Sequence, residues 1–291
     1  MGLIRRGAVA EAPMLRAPGR AADPLGAEAR ATTRRVARTF ALACRLLPRT
    51  VRRDVYLLYL VFRTLDDLVD EGRPEAAARL AAVEAWSAGA PGERTREVDV
   101  LAALAARHPL PRPALAEFCE GMRWDMERRE FATEAELDAY CYRVAGTVGV
   151  VMSAILRTRD DARALPAAAA LGIAMQRTNI LRDLDEDRAA GRTYIARETR
   201  ERFGEPRPGA REGLLRDQIA RADARYDEGL AGVPLLRTGR VAVRSAGWMY
   251  REILREIERD GYGVEPGRAR VGRPRKLWVV ARRGSPGSRD G

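Results

Sequence analysis

Val61-Phe62-Arg63-Thr64-Leu65-Asp66-Asp67-Leu68-Val69-Asp70-Glu71 is the stretch from which the rest of the chain can be read. It holds no glycine or proline, and its apolar residues recur at a helical period, so it predicts a helix. Asp66 and Asp70 stand four residues apart and project from one face, one turn from each other. Extended backwards, Tyr59, Arg63, Asp66 and Asp70 fall at relative positions 0, 4, 7 and 11, a single polar stripe. Leu57, Leu60, Val61, Leu65 and Leu68 are left to pack. The pattern returns in Asp183-Leu184-Asp185-Glu186-Asp187, where Gln176, Asn179, Asp183 and Asp187 fall at 0, 3, 7 and 11 beside Leu171, Met175, Ile180, Leu181 and Leu184. Carboxylates held this close repel one another. Two such pairs inside apolar helices predict cation binding, and Mg2+, with Mn2+ as an alternative, suits oxygen ligands. If the stripes face each other across a bundle, they form one cavity with acids on both walls. Arg63 and Arg182 are placed to hold the oxygens of a diphosphate whose other oxygens meet the metal.

Ala, Leu, Arg and Glu dominate the 291 residues and strand signals are scarce, so the expected class is all-α. No apolar run approaches the roughly 20 residues that span a bilayer, and Met1 to Arg20 lacks the apolar core of a signal peptide. The expected setting is cytoplasmic. Cys44, Cys119 and Cys141 show no metal-ligand spacing and read as buried apolar side chains. The net charge of +11 sits at the ends: residues 1–38 carry +5 and residues 268–291 carry +7, which leaves −1 between them. That distribution argues against a nucleic-acid partner and allows at most peripheral contact of the tails with an anionic membrane.

Residues 1–30 read as a structureless leader, 31–283 as one helical domain and 284–291 as a frayed tail. Helical patterns cover Thr32 to Leu47, Arg52 to Asp70, Glu75 to Trp86, Val98 to Arg107, Pro113 to Arg129, Glu134 to Leu156, Ala167 to Asp187, Gly213 to Leu230 and Arg237 to Asp260. His108, between Arg107 and Pro109, reads as a surface residue without chemistry. Gly146 and Gly149 each cost about 1 kcal/mol in a helix. The close approach of a ligand or of a neighbouring helix would offset that cost.

The first acidic run, and the second from Gln176 through Asp187 to Gly191-Arg192-Thr193-Tyr194, resemble the two aspartate-rich signatures of the phytoene and squalene synthase family. Tyr140-Cys141-Tyr142-Arg143-Val144-Ala145-Gly146-Thr147-Val148-Gly149 resembles its central substrate helix. Thr39-Phe40 with Arg45 to Pro48, and Tyr250 with Gly261-Tyr262 and Arg275 to Leu277, resemble its first helix and its C-terminal part. The resemblance implies a single-domain helical bundle of the isoprenoid synthase type with a central cavity. It also implies a Mg2+-dependent prenyltransferase that joins two farnesyl or geranylgeranyl diphosphates head to head through a cyclopropyl diphosphate.

Carried over, Asp66, Asp70, Asp183, Asp187 and Asn179 hold metal, with Tyr140 counted among the catalytic residues. Arg63, Arg182, Asn179 and Tyr250 contact diphosphate, Phe40, Tyr140, Val144 and Gln176 line the prenyl channel, and Tyr59, Gly149 and Tyr194 are further substrate-binding residues. No dinucleotide fingerprint is present, so NADPH is not predicted. Ala37, Leu42 and Arg177 depart from the family pattern and motivate an alternative, transfer of one prenyl group to an aromatic acceptor or release of a prenyl alcohol. A non-catalytic partner subunit is a third reading. The mutually repelling acids argue against it.

Overall fold

Asp23 is the first of the described residues. Its carboxylate accepts from Gly26 N and pairs with Arg53 at 2.6 Å, and Pro24 occupies the first helical position, where its missing N–H costs nothing. The structure, a computed structural model, describes residues 23–269, 271, 272, 274, 275, 278, 279 and 282. The leader up to residue 22 and the expected tail at 284–291 lie outside the described residues. Residues 24–30, expected to be structureless, are helical.

Twelve α-helices follow one another among the described residues: α1 Pro24–Val36, α2 Arg38–Cys44, α3 Arg49–Asp70, α4 Ala76–Ala88, α5 Arg96–Ala105, α6 Arg112–Met126, α7 Glu134–Cys141, α8 Thr147–Leu156, α9 Asp161–Ala189, α10 Arg197–Phe203, α11 Glu212–Ala231 and α12 Arg240–Arg259. The Thr95 and Thr133 hydroxyls cap α5 and α7 by accepting from Val98 N and Glu136 N. The expected helix from Thr32 to Leu47 is two helices, because Ala37 leaves the helical region at φ −124°, ψ 63°. The expected helix from Glu134 to Leu156 contains a π-turn over Tyr142–Gly146, a feature that recurs beside functional sites. Among the described residues, the only extended pairing is the isolated bridge between Thr158 and Leu236.

One core cluster joins α3, α4, α5 and α6 through residues such as Leu58, Leu65, Leu80, Leu101 and Leu115. Another joins α7, α9, α11 and α12 through Leu137, Leu181, Leu214, Tyr226 and Leu254. The α9 helix runs between them. Its approach to the π-turn and α8 depends on glycine: a Cβ on Gly172 would stand 2.3 Å from the Ala145 carbonyl oxygen, and one on Gly149 would stand 2.3 Å from that of Ala168. Helix contact therefore offsets the propensity cost of Gly149. Gly172→Val is expected to lower unfolding stability by about 3 kcal/mol or more, measured as a shift in urea midpoint. An unchanged midpoint would contradict this packing.

The helical stretch Glu134–Leu156 is long and apolar enough to cross a membrane by length and composition, which corrects the expectation that no such run exists; half of its most apolar window is buried. His108 is also not a bare surface residue. Its ring nitrogen meets Asp54 at 2.7 Å and its side chain is 12% exposed. The three cysteines are free and buried, and burial pushes their thiols up to about 12.

Candidate active site

The second half of α3 and the second half of α9 present the two polar stripes towards each other. Tyr59 from α3 and Gln176 and Asn179 from α9 line one cavity, and the charge of Asp70 on α3 raises the pKa of Asp187 on α9. Below the acids, α2, α3, the π-turn, α8, α9 and α12 enclose a cavity of about 310 Å³. Tyr59, Gln176, Asn179 and Tyr250 stand at its polar end, while Leu47, Leu156 and Leu236 close its apolar end. Apart from Ser153 and those four residues, apolar side chains and glycines make up the lining. Such walls exclude water.

Desolvation, reinforced by the neighbouring acids, pushes Asp66 and Asp187 up to about 7, and it also raises Asp70. Guanidinium groups partly offset the repulsion. Arg63 binds Asp66 at 2.8 Å and also pairs with Asp67. Arg182 holds Asp183 at 2.8 and 2.6 Å, Arg268 meets the same carboxylate at 2.8 Å, and Arg192 lies 3.6 Å from Asp70. With the acids shared out in this way, no group of three or more His, Cys, Asp or Glu side chains converges among the described residues. The donor set nevertheless fits Mg2+, which binds through one or two carboxylates per ion plus substrate phosphate oxygens rather than in an all-protein cage. Asn179 adds an orphaned acceptor: its Nδ2 donates to Gln176 at 3.2 Å, while its Oδ1 is buried without a partner.

The raised acids give a pH prediction. A carboxyl whose folded pKa lies above its unfolded value favours the folded state while protonated. Its contribution is full below about pH 4 and is lost as pH rises through about 7. Relative to an Asp66→Asn/Asp187→Asn variant, the metal-free protein should lose thermal stability between about pH 4 and 7. MgCl2 should restore more of it at the upper end of that range, where ions no longer compete with protons. Parallel melting curves for the two proteins, with no Mg2+ effect, would contradict the assignment.

Seven of the expected site residues line the cavity: Phe40, Tyr59, Val144, Gly149, Gln176, Asn179 and Tyr250. Phe40 and Tyr59 pack ring to ring, with centroids 4.9 Å apart. Two tyrosines lie elsewhere. Tyr140, expected along the prenyl channel, is 2% exposed, and its hydroxyl donates to both Asp125 oxygens at 2.9 and 3.0 Å. Tyr194 donates to the same carboxylate at 3.0 Å and stacks on Tyr140 with ring centroids 5.4 Å apart. Sequence reasoning missed Asp125. Burial raises it to about 6, although both hydroxyls oppose the shift. A signal was present, since Asp125 follows Phe118 and Met122 by seven and three residues, on the buried stripe of α6.

Of the three departures from the family pattern, only Ala37 lines the cavity. Leu42 packs against the Ala43, Ala246 and Met249 cluster. Arg177 is 3% exposed and points into a polar network behind α9, bonding Asp138 at 2.7 Å, Glu134 at 2.9 Å and Gln218 at 3.0 Å. Two of the three features that raised doubt about the second substrate site therefore do not line it.

An all-α bundle with acids from two helices over one apolar cavity is the architecture of isoprenoid synthases, and the solved structures agree. A crystal structure of a dehydrosqualene synthase in complex with ligand superposes with a TM-score of 0.80 at 27% identity, covering 89% of this chain and 94% of that one. A squalene synthase from Alicyclobacillus acidocaldarius gives 0.71 at 27% identity, covering 82% of this chain and 95% of that one. The squalene/phytoene synthase family model matches residues 33–275. A phytoene synthase of Thermus thermophilus is 37% identical over 259 residues, 84% of this chain and 85% of that protein. A 15-cis-phytoene synthase of Synechococcus elongatus is 34% identical over 275 residues, 86% of this chain and 89% of that one. The chain belongs to the squalene/phytoene synthase family and is a prenyltransferase.

Proposed function

We propose that this protein condenses two allylic prenyl diphosphates head to head, with geranylgeranyl diphosphate favoured as substrate by the phytoene synthases it resembles. The observation that carries the reading is the pair of carboxylate stripes facing each other above a single apolar cavity. Asp66, Asp70, Asp183, Asp187 and Asn179 would hold Mg2+, or Mn2+ in its place, which would supply Lewis-acid neutralisation of the leaving diphosphates.

The chain's own groups do the rest. Arg63 and Arg182, already at the acids, exchange carboxylate for diphosphate oxygens, with the Tyr250 hydroxyl beside Arg182. Phe40, Tyr59 and Tyr250 line the cavity, and aromatic ring faces there stabilise cationic charge. The apolar walls withhold water, which would otherwise capture the cation as an alcohol. Asp125 fixes Tyr140 and Tyr194 beside the acids. One carbon–oxygen bond breaks and one proton is lost to the released diphosphate as the two chains join into a cyclopropyl diphosphate; the second diphosphate then leaves, and loss of a second proton from the resulting cation gives the hydrocarbon without a reductant. No NADPH step is part of this proposal, and its setting is cytoplasmic, in keeping with three free thiols.

Incubating the protein with farnesyl or geranylgeranyl diphosphate and MgCl2, followed by mass analysis of the organic extract, tests the reading. A hydrocarbon containing two geranylgeranyl units is expected. A prenyl alcohol, or an adduct with one prenyl unit, as the sole product would overturn it in favour of single-prenyl transfer.

A further inference from the structure

The end of the bundle beneath the cavity floor has an outer face that the reaction at the acids does not use. Three segments meet there: the turn after α2, the link from α8 to α9, and the link from α11 to α12. Backbone bonds join the last two, from Thr238 N to Leu156 O at 3.1 Å, from Arg237 N to Arg157 O at 2.8 Å and from Arg159 N to Leu235 O at 2.9 Å. Gly239, at φ +77°, seals the first segment to them, since a Cβ there would stand 2.8 Å from Leu47 and 3.0 Å from Leu156. On the inner side Leu47, Leu156 and Leu236 are the cavity floor. A single layer of residues separates the apolar cavity from the outside.

The outer side combines exposed aliphatic groups with unbalanced positive charge. Leu46 and Val241, the sequence neighbours of cavity-lining Leu47 and Ala242, are 41% and 39% exposed. Around them Arg45, Arg49, Arg157, Arg159, Arg237 and Arg240 are exposed, and no carboxylate pairs with any of the six among the described residues. Elsewhere most guanidinium groups are matched, as with Arg251 on Asp223 and Asp227 or Arg211 on Asp185. The nearest acids on these segments are engaged locally: Asp160 caps α9 and Asp161 bonds the Thr158 hydroxyl. The acidic stripes lie at the other end of the cavity, so charge is polarised along it.

We propose that this end face docks on an anionic lipid bilayer. Leu46 and Val241 enter the headgroup boundary and the six arginines meet lipid phosphates, a pairing of apolar insertion with basic contacts that holds peripheral proteins at membrane surfaces. Docking in this orientation sets the floor of the cavity against the lipid. That the apolar product crosses the floor into the bilayer rests on the condensation reading above; the docking itself does not.

Co-sedimentation tests it, using the full chain with vesicles of phosphatidylcholine alone and with about one third phosphatidylglycerol. Wild type is expected to bind the anionic vesicles only. Arg157→Glu/Arg240→Glu should weaken that binding at least about tenfold, and Leu46→Ser/Val241→Ser should weaken it with little change in salt dependence. Arg94→Glu/Arg216→Glu, equal in net charge change and located elsewhere, should bind as wild type, with circular dichroism confirming the fold of each variant. Wild-type binding by the end-face variants, or equal loss in the matched control, would overturn the proposal. So would a lipid-indifferent dimer that the end-face variants convert to monomer, because the face would then belong to a second copy. None of these readouts needs turnover, so failure of the docking and failure of the condensation reading are separable.

Discussion

Asp66→Asn and Asp183→Asn are each expected to abolish condensation, lowering turnover by at least about a thousandfold, since Lewis-acid neutralisation of a leaving group contributes several kcal/mol to the barrier. Helix content should not change. For Asp66 the sign of the stability effect is informative: its carboxylate sits among Asp70, Asp125 and Asp67, and those charges with desolvation raise its pKa to about 7. Removing one of several repelling charges should leave the unfolding midpoint at neutral pH equal to wild type or slightly higher. Asp183 is held by both Arg182 and Arg268, so its variant should lose a little stability as well as all activity. Full activity in either variant would remove these aspartates from the metal assignment. A large drop in stability for Asp66→Asn would make that residue structural.

Arg177→Ala should behave in the opposite way, with stability falling by about 3–5 kcal/mol, the usual penalty for leaving buried charges without their partner. The guanidinium joins α9 to Glu134 and Asp138 on α7 and to Gln218 on α11. Its loss strands Glu134, whose side chain is 8% exposed, although Thr199 and Gln218 still bond it. A urea titration reads the effect as a lower midpoint. Where the variant remains folded, the product should be the same as that of wild type, because Arg177 does not line the cavity. An unchanged midpoint with a switch to one-prenyl products would restore the role in substrate choice that the sequence pattern first suggested.

The acid stripes were legible because helical period alone places i, i+3 or i+4, i+7 and i+11 on one face, and that geometry does not depend on neighbours. Helix existence was equally legible from composition and from the prolines and glycines that end each segment. What the sequence hid depends on packing. The break at Ala37 and the π-turn at Tyr142–Gly146 occur in residues with no helix-breaking side chain apart from Gly146, so only tertiary contacts select them. Arg177 was tied to substrate choice only because it departs from the family pattern, yet it stands one position from Gln176, which turns its side chain by about 100° away from the cavity. Tyr140 was expected along the prenyl channel, but its hydroxyl bonds Asp125, which comes from another helix, and a single acid carries no spacing. The seven-residue α10 falls outside the helical patterns of the sequence, being too short to show a period.

The most direct test of the central claim is the ratio of diphosphate released to hydrocarbon formed in a single incubation with geranylgeranyl diphosphate and MgCl2. Two facing sets of acids over one apolar cavity predict two diphosphates for each hydrocarbon. One diphosphate released for each prenyl product would contradict it and show that the cavity joins only one chain to its acceptor.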